Sequence, residues 1–118
     1  MKIYNDLIVE ALEPLEIPLY YADIPEDVLS TMEYIYYKET TLVKDTVSTF
    51  IQFYEVAYIS KYKDDLQEER FIDALESKGF NFKTGQYERL QIGNTSEIID
   101  LFIMSFTKRV KRQNCVRG

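Results

Sequence analysis

The sequence has no histidine and no tryptophan among its 118 residues, and it has a single cysteine. Without histidine the chain lacks the commonest general acid–base group and the commonest metal ligand. Cys115 has no internal disulfide partner, and without a neighbouring histidine it is a poor candidate nucleophile. The four glycines are scattered and form no phosphate-binding loop, and no G-x-S-x-G elbow is present. We therefore predict a protein that is not an enzyme and uses no cofactor or metal.

Long apolar runs are also missing. No stretch approaches the roughly 18 uncharged apolar residues that a membrane span requires. The first residues lack the apolar core of a signal peptide. One cysteine fits a reducing compartment. We expect a protein of the cytoplasm with no membrane partner, folded as one domain over residues 1–110.

Acidic and basic residues are distributed unevenly. Residues 1–107 carry all 20 acids and nine of the 14 bases, whereas residues 108–118 carry the other five bases and no acid. The acidic body should be repelled by nucleic acid, because phosphate contacts dominate such binding. Residues 111–118 are predicted to be a flexible basic tail. The alternative is a tail that touches DNA, RNA or an acidic protein.

Hydrophobic spacing predicts an α+β domain with a mainly antiparallel four-stranded sheet, two helices and the order α-β-β-α-β-β. The first helix is predicted at 6–13, because proline is not accommodated within a helix and Pro14 follows. Residues 16–24 are predicted to be extended chain docked on the edge of the core. The strands are predicted at 33–42, 47–60, 81–85 with 87–92, and 98–110, with a turn at Gly93-Asn94 before the last.

The second helix, predicted at 65–78, has the clearest end signals. Asp65 is the expected N-cap, with Glu68 three residues later. Gly79 is expected to take the left-handed conformation that ends a helix, and Phe80 to fold back onto it. The acids Asp64, Asp65, Glu68 and Glu69 are explained by the positive end of the helix dipole, so we assign them no metal.

The segment Phe50–Ile59 predicts a strand with two apolar faces. Ile51, Phe53, Ala57 and Ile59 point one way, and Phe50, Tyr54, Val56 and Tyr58 the other. One face is expected to pack on the helices. The other, with Tyr54 and Tyr58, is expected to meet another subunit or a partner, unless an internal loop such as residues 16–30 covers it.

Interface residues are predicted from the aromatic strands and the hairpin tip. Tyrosine is enriched at interfaces, and the turn is expected at Lys44 and Asp45. The predicted subunit or partner contacts are Phe50, Tyr54, Tyr58, Lys44 and Asp45. Glu55, inside the apolar strand, is predicted to pair with a lysine or arginine of a neighbouring strand or subunit. The alternative for Glu55 is a carboxyl group whose raised pKa serves catalysis.

The layout resembles the small tail-completion proteins of long-tailed phages, the tail terminators and tail-to-head joining proteins. The similarity extends over about residues 3–110. It is carried by Ile17-Pro18-Leu19-Tyr20-Tyr21, Tyr34-Ile35-Tyr36-Tyr37, the long central strand, Phe71 to Phe80 with Gly79, and Tyr87-Glu88-Arg89-Leu90.

The resemblance implies a structural protein of the virion that forms a ring, usually a hexamer. Such a ring caps the tail tube, binds the head-completion or connector protein, and lets DNA pass through without specific binding. On this interpretation residues 38–49 contact the tail-tube protein, and Asp64, Asp65, Glu68 and Glu69 contribute to an acidic lumen. The family has no catalytic residues to transfer to this sequence. The rival interpretation is a small regulatory or immunity-type protein-binding module of the cytoplasm.

Overall fold

The computed structural model describes residues 5–22, 33–61, 66–91 and 98–112. Within these ranges it contains two α-helices, one 3₁₀ turn and five strands. Their bounds are α1 Asn5–Leu12, a 3₁₀ turn Glu13–Leu15, β1 Leu19–Tyr21, β2 Glu33–Lys44, β3 Thr49–Ser60, α2 Glu68–Glu76, β4 Asn81–Gln91 and β5 Ile98–Lys111. No helix in these ranges has both the length and the apolar character needed to cross a membrane.

The strands form one sheet in the order β1-β2-β3-β5-β4. The predicted α+β class and the mainly antiparallel pairing are confirmed, because β2–β3, β3–β5 and β4–β5 are all antiparallel. The predicted number of four strands is wrong. Residues 19–21 form a fifth strand, parallel to β2, with Leu19 opposite Ile35. A strand of three residues between prolines is too short to show alternation. Its partner strand is also distant in the sequence.

Both predicted helices are present, with shorter bounds at the second. Helix α1 buries Ile8, Ala11 and Leu12, and the chain tightens into the 3₁₀ turn at Pro14. Helix α2 begins at Glu68, not at residue 65, after Gln67 in a left-handed conformation. The predicted N-cap, Asp65, lies outside the described residues.

The predicted left-handed conformation of Gly79 is confirmed, and α2 itself ends at Glu76, two residues before the predicted end. Gly79 has a φ of +89°. Glycine adopts this left-handed conformation without a steric clash because it has no Cβ atom. Its N–H donates to the Glu76 carbonyl at 3.0 Å, and the Phe80 N–H donates to the Leu75 carbonyl at 3.3 Å. Phe80 is thereby folded back into the core, where it is buried. The reversal carries the chain from α2 directly into β4.

Strand β4 is one continuous edge strand, where two pieces were predicted. Gly85 lies in its middle, and a Cβ added there would be 2.6 Å from the Phe102 ring. Glycine is therefore required by the ring that lies over it. The predicted turn at Gly93-Asn94 lies outside the described residues.

In the hairpin of β2 and β3, strand β2 extends past its predicted end at residue 42. The turn occupies residues 45–48. Its register shifts between Glu39 and Thr41, which marks a β-bulge. Beyond this bulge, residues 41–53 and residues 107–112, at the end of β5, continue past the helices as a three-stranded projection, which we call the β-arm. The molecule is correspondingly elongated, with extents of 59 × 26 × 22 Å.

Candidate functional site

The two faces of the sheet have different neighbours. Helices α1 and α2 share one buried cluster with the side chains of alternate strand residues, among them Ile35, Tyr58 and Phe102. A second, smaller cluster lies on the opposite side and contains no residue of either helix. We call this opposite side the open face, because neither described helix lies on it.

Tyr54 and Tyr58 lie on the helix side, so their predicted place in a subunit interface is wrong. Tyr58 packs on Phe71 with ring centroids 4.7 Å apart, and Tyr54 packs edge-on against Phe80 at 5.4 Å. Both tyrosines are at most 1% exposed. Strand alternation identified the two sets of side chains correctly, but it did not indicate which set the helices cover.

The open face is apolar across its three central strands. Its buried cluster consists of Tyr34, Ala57, Ile59, Ile99 and Leu101, with Tyr20, Tyr36 and Ile103 half-buried against it. Within the β-arm, Ile51 and Phe53 continue the row and are also half-buried. A sheet face that is given to water normally carries polar residues instead. The cluster itself is at most 8% exposed within the single chain, so the candidate contact surface is limited to the half-buried apolar residues around it.

Glu55 interrupts the open face and is held by β2. The Tyr36 hydroxyl donates to its Oε2 atom at 2.6 Å, and the Lys38 Nζ atom lies 4.0 Å from the same oxygen. The predicted pairing of Glu55 with a base on a neighbouring strand is confirmed. Burial, and then the hydrogen bond to Glu55, raise the pKa of Tyr36. Beside this pair, Glu55, Thr84, Gln86, Ile103, Met104 and Ser105 line a hollow of about 190 Å³.

A second tyrosine–carboxylate pair lies at the opposite side of the sheet. Tyr58 donates to Glu33, and the Gln67 amide donates to the Tyr58 hydroxyl at 3.3 Å. Burial and the Glu33 hydrogen bond raise the pKa of Tyr58. Sequence reasoning missed this pair, because Glu33 and Tyr58 are 25 residues apart and meet only through strand register.

The β-arm carries the predicted tip residues and most of the C-terminal bases. Lys44 and Asp45 are exposed at the turn, as expected. Asp45 pairs with Arg109 at 3.0 Å and accepts from the Thr49 hydroxyl at 2.9 Å. The predicted contact residue Phe50 is half-buried, with the Arg112 guanidinium 4.7 Å from its ring centroid.

The bases at 108–111 belong to a strand. Strand β5 continues to Lys111, one residue past the predicted domain boundary, and the Arg112 N–H donates to the Ser48 carbonyl at 2.8 Å. The tail predicted at 111–118 is therefore ordered in its first two residues. Residues 113–118, with Cys115, lie outside the described part of the chain.

The acidic residues predicted to face a lumen are only partly visible. Glu69 is exposed on α2, and Glu68 accepts a hydrogen bond from Tyr87 at 2.7 Å. Asp64 and Asp65 lie outside the described residues. In the part of the chain that the structure describes, no three histidine, cysteine or carboxylate side chains are grouped to hold a metal ion.

Comparison with known proteins finds little similarity. No protein-family model matches the chain, and no curated protein matches it. Among solved structures, the core region of PilO from the type IV pilus system of Pseudomonas aeruginosa is similar, with 11% sequence identity and a TM-score of 0.45. The match covers 77% of this chain and 97% of that one. At this TM-score the likeness establishes nothing about the function of this chain.

Proposed function

We propose that this protein is a structural component of a long-tailed phage. It assembles as a ring on the end of the tail tube and joins the tail to the head. Its activity is geometric: one surface binds further copies, and others bind the tube and the head connector.

The observation that carries the proposal is the apolar open face. Ile51, Phe53 and Ile103 are half-buried on the side of the sheet away from both helices. Apolar side chains that stay partly accessible in the single chain are more stable when another protein surface covers them. The sequence features that resemble the tail-completion proteins lend further support, and strand β1 is an addition to the α-β-β-α-β-β layout expected for them.

Purified tail tubes of the phage that encodes this chain provide the test. The wild-type protein is expected to co-sediment with the tubes and to appear by electron microscopy as a ring at one end. Ile103→Lys or Phe53→Lys is expected to reduce capping strongly, because a lysine on the open face would be desolvated in the contact.

Ile98→Lys is the matched control. Ile98 lies on the same strand as Ile103, has the opposite orientation and is already 48% exposed. It should cap tubes as wild type does. Circular dichroism and thermal melts establish that each variant is folded. Absence of any wild-type protein from tube ends would overturn the proposal.

A further inference from the structure

The β-arm has a charge opposite to that of the rest of the molecule. Residues 41–53 and 107–112 contain five bases, Lys44, Lys108, Arg109, Lys111 and Arg112, and one acid, Asp45, a net charge of +4. The helical layer, residues 5–16 and 67–79, contains eight acids and two bases, a net charge of −6. Seven of these eight acids are exposed.

The β-arm also exposes apolar side chains. Val47 at the turn is 82% exposed, and Leu42 and Val43 are exposed by 42% and 44%. Leu42 and Val43 directly precede the exposed base Lys44, and the exposed Lys111 lies at the same end of the sheet, opposite Thr49. A mixture of apolar and basic side chains fits an acidic protein surface better than a nucleic acid backbone, which is recognised mainly through phosphate.

The β-arm is held in one shape before any contact. The Thr49 hydroxyl closes the turn by donating to Asp45. The Asp45–Arg109 ion pair and the bond from the Arg112 N–H to the Ser48 carbonyl tie the turn to β5 and the residue after it. A surface that is already ordered loses little conformational entropy on binding.

Among the described residues, a contact between the arm and the helical layer lies at the edge of that layer. Lys108 Nζ lies 5.3 Å from the centroid of the Phe80 ring and 3.4 Å from the Lys78 carbonyl oxygen, just past the end of α2. The turn with Lys44 and Val47 extends away from the helices along the sheet. The two opposite charges are therefore placed to meet between molecules.

We propose that the β-arm of one copy docks on the helical layer of the next. This inference rests on the proposed ring and specifies its subunit contact. The contact is heterologous, since two different patches meet, and repetition of such a contact closes a ring or extends a filament. Its charges orient the encounter and make assembly sensitive to salt.

Charge exchange tests the contact. The arm variant Lys44→Glu with Lys111→Glu and the layer variant Glu69→Lys with Asp73→Lys should each weaken self-association at low salt by about tenfold or more, measured by sedimentation. Mixing the two variants should restore association, because each supplies the surface that the other has lost. Lys83→Glu, on the exposed edge strand β4, is the control and should associate as wild type does.

The outcomes separate this proposal from the proposed function. If the arm variant associates and caps tubes like wild type, or if the mixture of folded variants stays apart, the arm contact is overturned and capping stands. If association depends on the β-arm but the protein does not bind tail tubes, the proposed function is overturned and the arm contact stands. Wild-type protein that is monomeric both free and on tubes also overturns the contact. The contact is also overturned if wild type does not self-associate but binds duplex DNA, and the arm variant does not bind that DNA.

Discussion

Two tyrosine–carboxylate pairs brace β2 against β3 from opposite faces of the sheet. Tyr36 donates to Glu55 on the open face, and Tyr58 donates to Glu33 on the helix side. In each pair a partly buried hydroxyl donates to a half-buried carboxylate. Hydrogen bonds to charged groups are stronger than those between neutral groups, so these pairs help to fix the register of the hairpin from which the β-arm extends.

The pairs predict how stability depends on alkaline pH. Burial and the carboxylate partner raise the pKa of both tyrosines above the unfolded value of about 10. Their contribution is full below about pH 10 and is lost as pH rises through the folded pKa. Urea unfolding should show a wild-type free energy that falls above about pH 10. In Tyr36→Phe with Tyr58→Phe that fall should be shallower, and equal slopes for the two proteins would contradict the account.

At the scale of the element, sequence signals were reliable where they were local. Gly79 and Phe80 reverse the chain after α2 as predicted, because a left-handed glycine followed by an apolar residue acts within a few residues. The turn at Lys44 and Asp45 was also predicted correctly, because its signal is local in the sequence as well. The three-residue strand β1 was missed, because its identity as a strand depends on a partner 16 residues away.

The same distinction explains the error in the candidate site. Alternation along β3 showed two apolar faces, but the choice of helix side depends on tertiary packing. Tyr54 and Tyr58 face Phe80 and Phe71 across the interior. The large rings fill the space beneath the helices, and Ala57 and Ile59 are left for the open face.

Replacement of Gly79 by alanine tests the helix end. A Cβ at a φ of +89° is strained, which costs about 1–2 kcal/mol in the free energy of unfolding. Gly79→Asn should cost less, because asparagine tolerates left-handed backbone. Glu76→Ala, an exposed change one turn earlier, should stay within about 0.5 kcal/mol of wild type. Denaturant titration measures all three, and equal stability of Gly79→Ala and Glu76→Ala would show that the C′ conformation is unimportant.

At the scale of the whole molecule, the residues that stabilise the fold and the residues proposed to contact other molecules lie in different parts of the long axis. The helices and the large buried rings occupy one part of the sheet, and the cluster that they share extends along β3 from Tyr54 to Tyr58. Past Tyr54 the sheet continues as the β-arm, which exposes Leu42, Val43 and Val47. The composition had already shown the charge asymmetry. The paired strands bring the bases of residues 108–112 to the same end as Lys44.

A hairpin truncation tests this separation. Glu39 and Tyr54 are opposite each other in the β2–β3 ladder, so replacement of residues 40–53 by Asn-Gly closes the strands with a two-residue turn of the favoured type. The shortened chain should lose part of its stability, because Val110 loses its neighbours on β3. It should nevertheless retain cooperative unfolding and its near-ultraviolet tyrosine signal, since the helix-covered cluster is intact. It should no longer self-associate or cap tubes. A truncated chain that binds hydrophobic dye and unfolds without cooperativity would show that the β-arm belongs to the folding core.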